Sequence, residues 1–471
     1  MYSRLGDCMN EDVKIINTEE GLKSTKKDCP NCGSSDITFN SKSGKLHCNY
    51  CKTDFNPKEL NNIKNVDSLN QRVIGSGAKD INSNIGNMIT IECSNCGAEV
   101  VIDTSVSTQV RCHWCRGILS INNRIENGSI PDAILPFSVK KEEAMEEINK
   151  FVGKRKFHAL PKFKEEFKAE NVFGVYFPYM IVDAKVNCAF EGNGEHLLRQ
   201  YSYGKNDTRY DAEEYYVIRN FNINVDDLTI ESNKSKINKS EKSTNNIINS
   251  IMPFDTDNCV KFESNYLVGF TSEKRDLNIK NIEEKVKQEV KDIARISIND
   301  TLKKYDRGVC WKKEKVEFEG SQWISAYLPV WLYTFEDKKG VRHYIAVNGR
   351  TKETMGSIPI NNFRLNLITF FIEFICIFTM LMFCYETDDI IIIYCLMAIM
   401  PGIIYNKIIK DEYRNKDARH KYENETKRMI NYSFVKDDFM CTKRRLKNRY
   451  INGYNSNIIY GENINVNAEK K

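Results

Sequence analysis

Residues 29–51 of this chain read CPNCGSSDITFNSKSGKLHCNYC, and residues 93–115 read CSNCGAEVVIDTSVSTQVRCHWC. Each stretch holds two Cys-x-x-Cys pairs separated by fifteen residues. Four thiolates on two tight turns satisfy a tetrahedral Zn2+ and leave no coordination position open. Gly33 and Gly97 follow Cys32 and Cys96, where such a turn needs backbone freedom. The expected ligands are Cys29, Cys32, Cys48 and Cys51 for one ion, and Cys93, Cys96, Cys112 and Cys115 for a second. Both ions are read as structural, because a hairpin this small buries too little apolar surface to fold without metal. A redox role fits less well: one Cys-x-x-Cys would suffice, usually within an α/β fold. Between the last two ligands, His113 is read as a surface residue and Trp114 as packing on its own knuckle.

The rest of the composition sets the compartment and the scale. Eight of the 16 cysteines lie outside the two clusters, without paired spacing. That pattern suits a reducing compartment and not a disulfide scaffold. The first thirty residues contain no apolar run, so no secretory signal is expected there. A net charge of +5, from 69 basic and 64 acidic side chains, is too small to argue for nucleic acid by itself.

Composition shifts divide the chain into an N-terminal segment (1–28), a first ribbon (29–57), a polar linker (58–90) and a second ribbon (91–121). An α+β domain follows (131–361), interrupted by a polar segment at 231–250 that is expected to be a mobile loop. Within the domain, two halves look alike. In each, a short apolar strand precedes an amphipathic helix and then a β-rich run, GVYFPYMIVD in the first and SAYLPVWLYT in the second. Both runs contain Tyr-x-Pro. Asn348-Gly349 between two strand patterns marks a hairpin turn.

Residues 365–385, LNLITFFIEFICIFTMLMFCY, are almost wholly apolar, and a second apolar run spans 390–409. As a helix the first would be about 31 Å long, close to the hydrocarbon thickness of a bilayer. A transmembrane helical hairpin is expected over 365–409, with Pro401 a candidate kink and Glu373 the ionisable residue inside the first span. Lys and Arg flank both outer ends and are missing from the loop, so both termini are expected on the cytosolic side. The tail (410–471) is basic and includes CTKRRLKNRY. A helix–helix hydrogen bond or snorkelling accounts for Glu373 more simply than transport does.

Catalytic signatures are missing: the sequence has no HExxH, no P-loop, no GxSxG and no GxGxxG after a strand. Glu191, Glu195 and His196, in FEGNGEHLLRQY, form the best enzymatic candidate, although a charged hairpin and its flank explain them better. Lys42, Lys45 and Lys52 crowd the first ribbon and could meet phosphates.

Several blocks, in order, carry a resemblance: SGAKD, RCHWCRGILSI, GVYFPYM, NNIINSIMPFDT, SEKRD, KDIAR, AYLPVWLY and VNGRTKETMGSIPI. Together they resemble the transcription-factor-IIB-type zinc ribbon-containing proteins of Gram-positive bacteria. The resemblance spans most of 75–385. It implies zinc ribbons, an α+β region and C-terminal transmembrane helices, and it brings no established reaction and no catalytic residues. The functional expectation is a non-enzymatic, membrane-tethered module at the cytosolic face that binds protein partners. No small-molecule substrate is identified. A nucleic-acid-binding ribbon protein held at the membrane is the alternative, and a membrane enzyme or transporter is a second.

Overall fold

The computed structural model describes residues 28–58 (apart from 35, 41 and 42), Leu69, 88–103, 110–233 (apart from 121–123, 126–129 and 204–206), 251–383 (apart from 252–253 and 338–341) and 391–414, with short strands at 15–17, 73–75 and 451–452. Lys42, the tail beyond 414 except 451–452, and most of the 231–250 segment lie outside the described residues. Glu231 ends a strand, and Ser232 and Asn233 are buried.

The first ribbon is a separate three-stranded sheet of β1 (Ile37–Asn40), β2 (Lys45–Cys48) and β3 (Asp54–Phe55), paired antiparallel in order. The second ribbon begins with β4 (Met88–Glu92) and β5 (Glu99–Asp103), which belong to a large sheet. Next come β6 (Ala133–Ile134), α1 (Lys141–Lys154), α2 (Pro161–Glu166), and the long strands β7 (Phe173–Tyr203) and β8 (Asp207–Glu231). Strand β9 (Thr271–Glu273), α3 (Ile279–Ser297), β10 (Val309–Glu336) and β11 (Arg342–Asn348) complete the domain. Part of the expected linker also joins the sheet: residues 73–75 form a strand parallel to β10 at Ser321 and Gln322. Leu69 beside it is fully buried.

Two apolar runs make the centre. GVYFPYMIVD lies in β7 and SAYLPVWLYT in β10, and they pair antiparallel about Phe177 and Leu328, so that Tyr176 faces Pro329 and Pro178 faces Tyr327. Continuous apolar sequence, rather than alternation, is what a strand covered on both faces requires. The two long strands also treat their outer neighbours alike. At Val175–Tyr176, β7 receives β9 in parallel, and at the matching Ala326–Tyr327, β10 receives β6 in parallel. Beyond those points each strand turns to an antiparallel hairpin partner, β8 from Tyr179 and β11 from Val330. Even the backbone agrees, since Ser232 N–H donates to the Pro178 carbonyl and Gly349 N–H to the Pro329 carbonyl. Each half therefore lends its first short strand to the edge of the other half's long strand.

The faces carry different cover. Helix α1 lays Ala144, Ile148, Phe151 and Val152 into a core with Tyr176, Tyr327, Trp331 and Tyr333. Helix α3 places Ile282, Val286, Val290 and Ile293 against Met180, Val182 and Trp323 on the same side. The opposite side, lined by Val175, Phe177, Tyr179, Leu328 and Val330, is covered by the second ribbon.

C-terminal to the domain, α4 (Asn362–Phe383) and α5 (Ile391–Arg414) pack against each other. Among the described residues one helix, α4, is long and apolar enough to cross a membrane, over Asn362–Thr379. Helix α5 runs through Pro401. Its C-terminal end docks on the domain: Tyr413 is buried, its hydroxyl accepts the His158 N–H at 2.7 Å, and its carbonyl accepts the Ile358 N–H at 3.0 Å.

Candidate metal centres and the knuckles around them

The knuckles form because their backbones are tied in the same way twice. Cys29 N–H donates to Ser34 and Cys93 N–H to Ala98, at 2.8 and 2.9 Å. Gly33 N–H returns to Cys29 and Gly97 N–H to Cys93, at 2.8 and 2.7 Å. In the second knuckle of each ribbon, Lys52 N–H returns to Cys48 and Arg116 N–H to Cys112, at 2.9 and 2.8 Å. Gly33, Gly97, Lys52 and Arg116 all have positive φ, between 62° and 73°. Glycine adopts that conformation freely. Lys52 and Arg116 hold it at a steric cost that the surrounding hydrogen bonds offset.

The eight sulfurs are gathered as expected. Cys29 and Cys51 Sγ are 3.5 Å apart, Cys32 and Cys48 3.6 Å, Cys93 and Cys115 3.5 Å, and Cys96 and Cys112 3.6 Å. Within each set all four lie within 4.8 Å of one another. Zn–S bonds of about 2.3 Å would put tetrahedral sulfurs roughly 3.8 Å apart, so both cages have the size of a zinc site. The Thr53 hydroxyl lies 3.2 Å from Cys51 Sγ.

What the two ribbons do with the same knuckle differs. In the second, His113 is fully buried, which corrects its reading as a surface residue. Its Nδ1 lies 3.1 Å from the Thr271 hydroxyl, and its carbonyl accepts the Thr334 hydroxyl at 3.3 Å. Trp114, 8 % exposed, packs on the domain and not merely on its knuckle. Its indole N–H donates to Glu273 at 2.7 Å, and its ring meets Phe177 and Tyr344 edge-on. Arg116 donates to the Thr334 carbonyl and lies 4.7 Å over the Tyr333 ring. Sheet pairing continues the attachment, with Val101 opposite Ser272 and Val100 opposite Glu273. A signal for this was present in the sequence, because the large apolar ring of Trp114 is costly to leave exposed.

In the first ribbon the same positions are Asn49 and Tyr50, and Tyr50 is 79 % exposed. This ribbon touches the domain through its strands, where the Phe39 ring meets that of Tyr266 at a tilt, with centroids 5.3 Å apart. In its second knuckle Cys48 is buried in the core, and Tyr50 faces solvent. Lys45 and Lys52 are exposed as well, and His47 Nδ1 lies 2.6 Å from Asp54.

The enzymatic candidates do not converge. Glu191 accepts the Tyr216 hydroxyl at 2.7 Å and faces Lys313, Glu195 faces Arg307, and His196 faces Asp306. Each sits on the long β7–β8 ribbon with its own partner. A different group gathers where β7 and β8 change register. Asp183, Asp226 and Asp227 lie within 4.8 Å of one another, with Asp227 at φ 56°. Burial, then the neighbouring Asp227, raises the Asp183 carboxyl, while burial raises Asp227 to about 6. Gln322 and Thr256 donate to this group. Asp183 is distant in sequence from the adjacent Asp226 and Asp227, and only the paired strands unite them, so no sequence motif marks the group.

In the helix pair, Glu373 lies against Gly402, so close that a side chain at 402 would strike its Cγ. One turn away, Asn406 Nδ2 lies 3.3 Å from the Thr369 hydroxyl. Glu373 is thus placed at the helix–helix contact, beside the residue that follows Pro401.

No family model and no solved structure matches this chain. It is similar to a protein of Bacillus subtilis (strain 168) described as "Uncharacterized protein YdjG", with 25% identity over 335 residues that cover 71% of this chain and 89% of that one.

Proposed function

We propose that the protein is a non-enzymatic binding module anchored at a membrane, with the first ribbon as its presenting surface. The supporting observation is the contrast between two knuckles of one geometry. In the second ribbon the knuckle's aromatic residue is seated in a pocket and hydrogen-bonded to a carboxylate. In the first the equivalent Tyr50 is bare. A knuckle built to dock, left undocked, favours a partner protein that supplies an aromatic, carboxylate-bearing pocket of its own.

Zinc in both cages, two membrane spans through α4 and α5, and cytosolic termini belong to the same reading, as does membership of the transcription-factor-IIB-type zinc-ribbon proteins. Thiolate ligands remain reduced on the cytosolic side, which agrees with the placement of Lys and Arg outside the spans. Nucleic acid is the second reading, favoured by Lys52 two residues from Tyr50 and by Lys45.

The test is crosslinking of the full-length protein in its own membrane, followed by purification of wild type and Tyr50→Ala. Partner recovery should fall at least tenfold in the variant, in line with loss of an aromatic anchor worth about 2 kcal/mol, at unchanged zinc content. An identical partner set in both would sink the proposal. Capture that depends on nuclease and salt would transfer it to the second reading.

A further inference from the structure

Lys156, Lys164 and Arg364 come from the turn after α1, from α2 and from the first turn of α4, and they meet around Phe157. The Lys164 ammonium lies 3.4 Å from the Phe157 carbonyl, and the Arg364 guanidinium lies 4.1 Å above the Phe157 ring. Phe157 itself is 56 % exposed. Lys162, nearby on α2, pairs with Glu166. None of the three clustered cations makes an ion pair among the described residues. Their mutual repulsion registers on their neighbours. Burial lowers the Lys164 ammonium, and Arg364 and Lys156 lower it further. Buried His158 is lowered by burial and then by Arg364 and Lys164, against an opposing pull from Glu412.

Three cations held together without a counter-ion favour an anion that bridges them. Their position narrows the kind of anion. Phe363 beside Arg364 is exposed, and directly beyond Arg364 α4 leaves the domain with Leu367, Phe370 and Phe371 exposed, so the cluster sits where a polar surface gives way to an apolar rod. Free phosphate would neutralise the charge and leave Phe157 and the start of α4 uncovered. A phospholipid brings oxygens for the cations and an acyl chain for the aromatic surface.

We propose that Lys156, Lys164 and Arg364, with Phe157, form a binding site for the headgroup phosphate of an anionic phospholipid. The site rests on the membrane reading of α4. It fixes how the domain sits on the bilayer, with α2 and the end of α1 against the headgroups.

The experiment is native mass spectrometry of the full-length protein in mild detergent, titrated with phosphatidylglycerol, phosphatidylcholine or inorganic phosphate. Wild type should retain phosphatidylglycerol in preference to phosphatidylcholine. The triple variant Lys156→Gln, Lys164→Gln, Arg364→Gln should lose that preference by roughly a hundredfold. A control, Lys407→Gln with Lys410→Gln, should keep it, and both variants should retain the wild-type zinc content and melting. Equal loss in the control would mean a diffuse basic collar and overturn the site. Displacement of the lipid by inorganic phosphate would identify a free-anion site and overturn the lipid assignment. Equal retention of the two lipids by a protein recovered from the membrane fraction refutes this site alone, whereas recovery from the soluble fraction refutes the membrane reading with it.

Discussion

Tyr50 and Trp114 occupy one position in two knuckles of one geometry, and only the surface each meets separates them. Their spacing from the cysteines predicts the shared geometry, because four thiols gathered on two tight turns impose the same backbone ties in both ribbons. Nothing local to residues 112–115 names Glu273 and Thr271 as partners, since those lie more than 150 residues away and arrive only through the sheet. The same limit hid Asp183, Asp226 and Asp227. Burial holds the Asp227 carboxyl near 6, above its ordinary 3.8, so folding favours its protonated form. Below the unfolded value the group costs nothing. The cost grows as pH rises between those two values and is complete above the higher one. Asp227→Asn removes the charge and keeps a residue suited to positive φ. At neutral pH it should stabilise the protein by about 1–2 kcal/mol, a gain that shrinks toward nothing near pH 4. Thermal unfolding across that range checks this, and a gain that does not change with pH contradicts it.

Among the elements, the helices were the most readable. The 3.6-residue spacing of Ala144, Ile148, Phe151 and Val152 and the unbroken apolar run of α4 each correspond to an observed helix. The short strands were uneven. β6 falls in the apolar strand expected before α1, whereas the strand at 73–75 lies in what reads as a polar linker and is defined by the strands on either side of it, not by its own pattern. Between α4 and α5 the contact is set by small against large, with Gly402 making room for Glu373. Gly402→Ala should therefore push the helices apart and cost about 1–3 kcal/mol as overpacking. Adding Glu373→Ala should restore most of it, because the second change removes the atoms struck. Denaturation of the single and double variants in detergent measures the coupling, and additive losses would mean that the two residues do not touch.

For the whole molecule, repetition is the main theme. The Tyr-x-Pro runs hinted at two similar halves, and the paired strands go further. The halves exchange their first strands, so neither can complete its sheet alone. A sequence can suggest that two segments are alike, but exchange is a property of pairing, which short strands do not encode. The two ribbons repeat each other as well and then part in role. One covers a face of the central sheet, and the other is mounted on it by its strands. This asymmetry is tested most directly by zinc content and thermal unfolding, measured together on two variants of the full-length protein, Cys29→Ser with Cys32→Ser, and Cys93→Ser with Cys96→Ser. Each should lose about one of two zinc ions. The first should leave the main unfolding transition in place, while the second should lower or abolish it, because the cover over Phe177, Leu328 and Val330 is lost. Retention of both ions in either variant, or equal transitions in the two, would contradict the account.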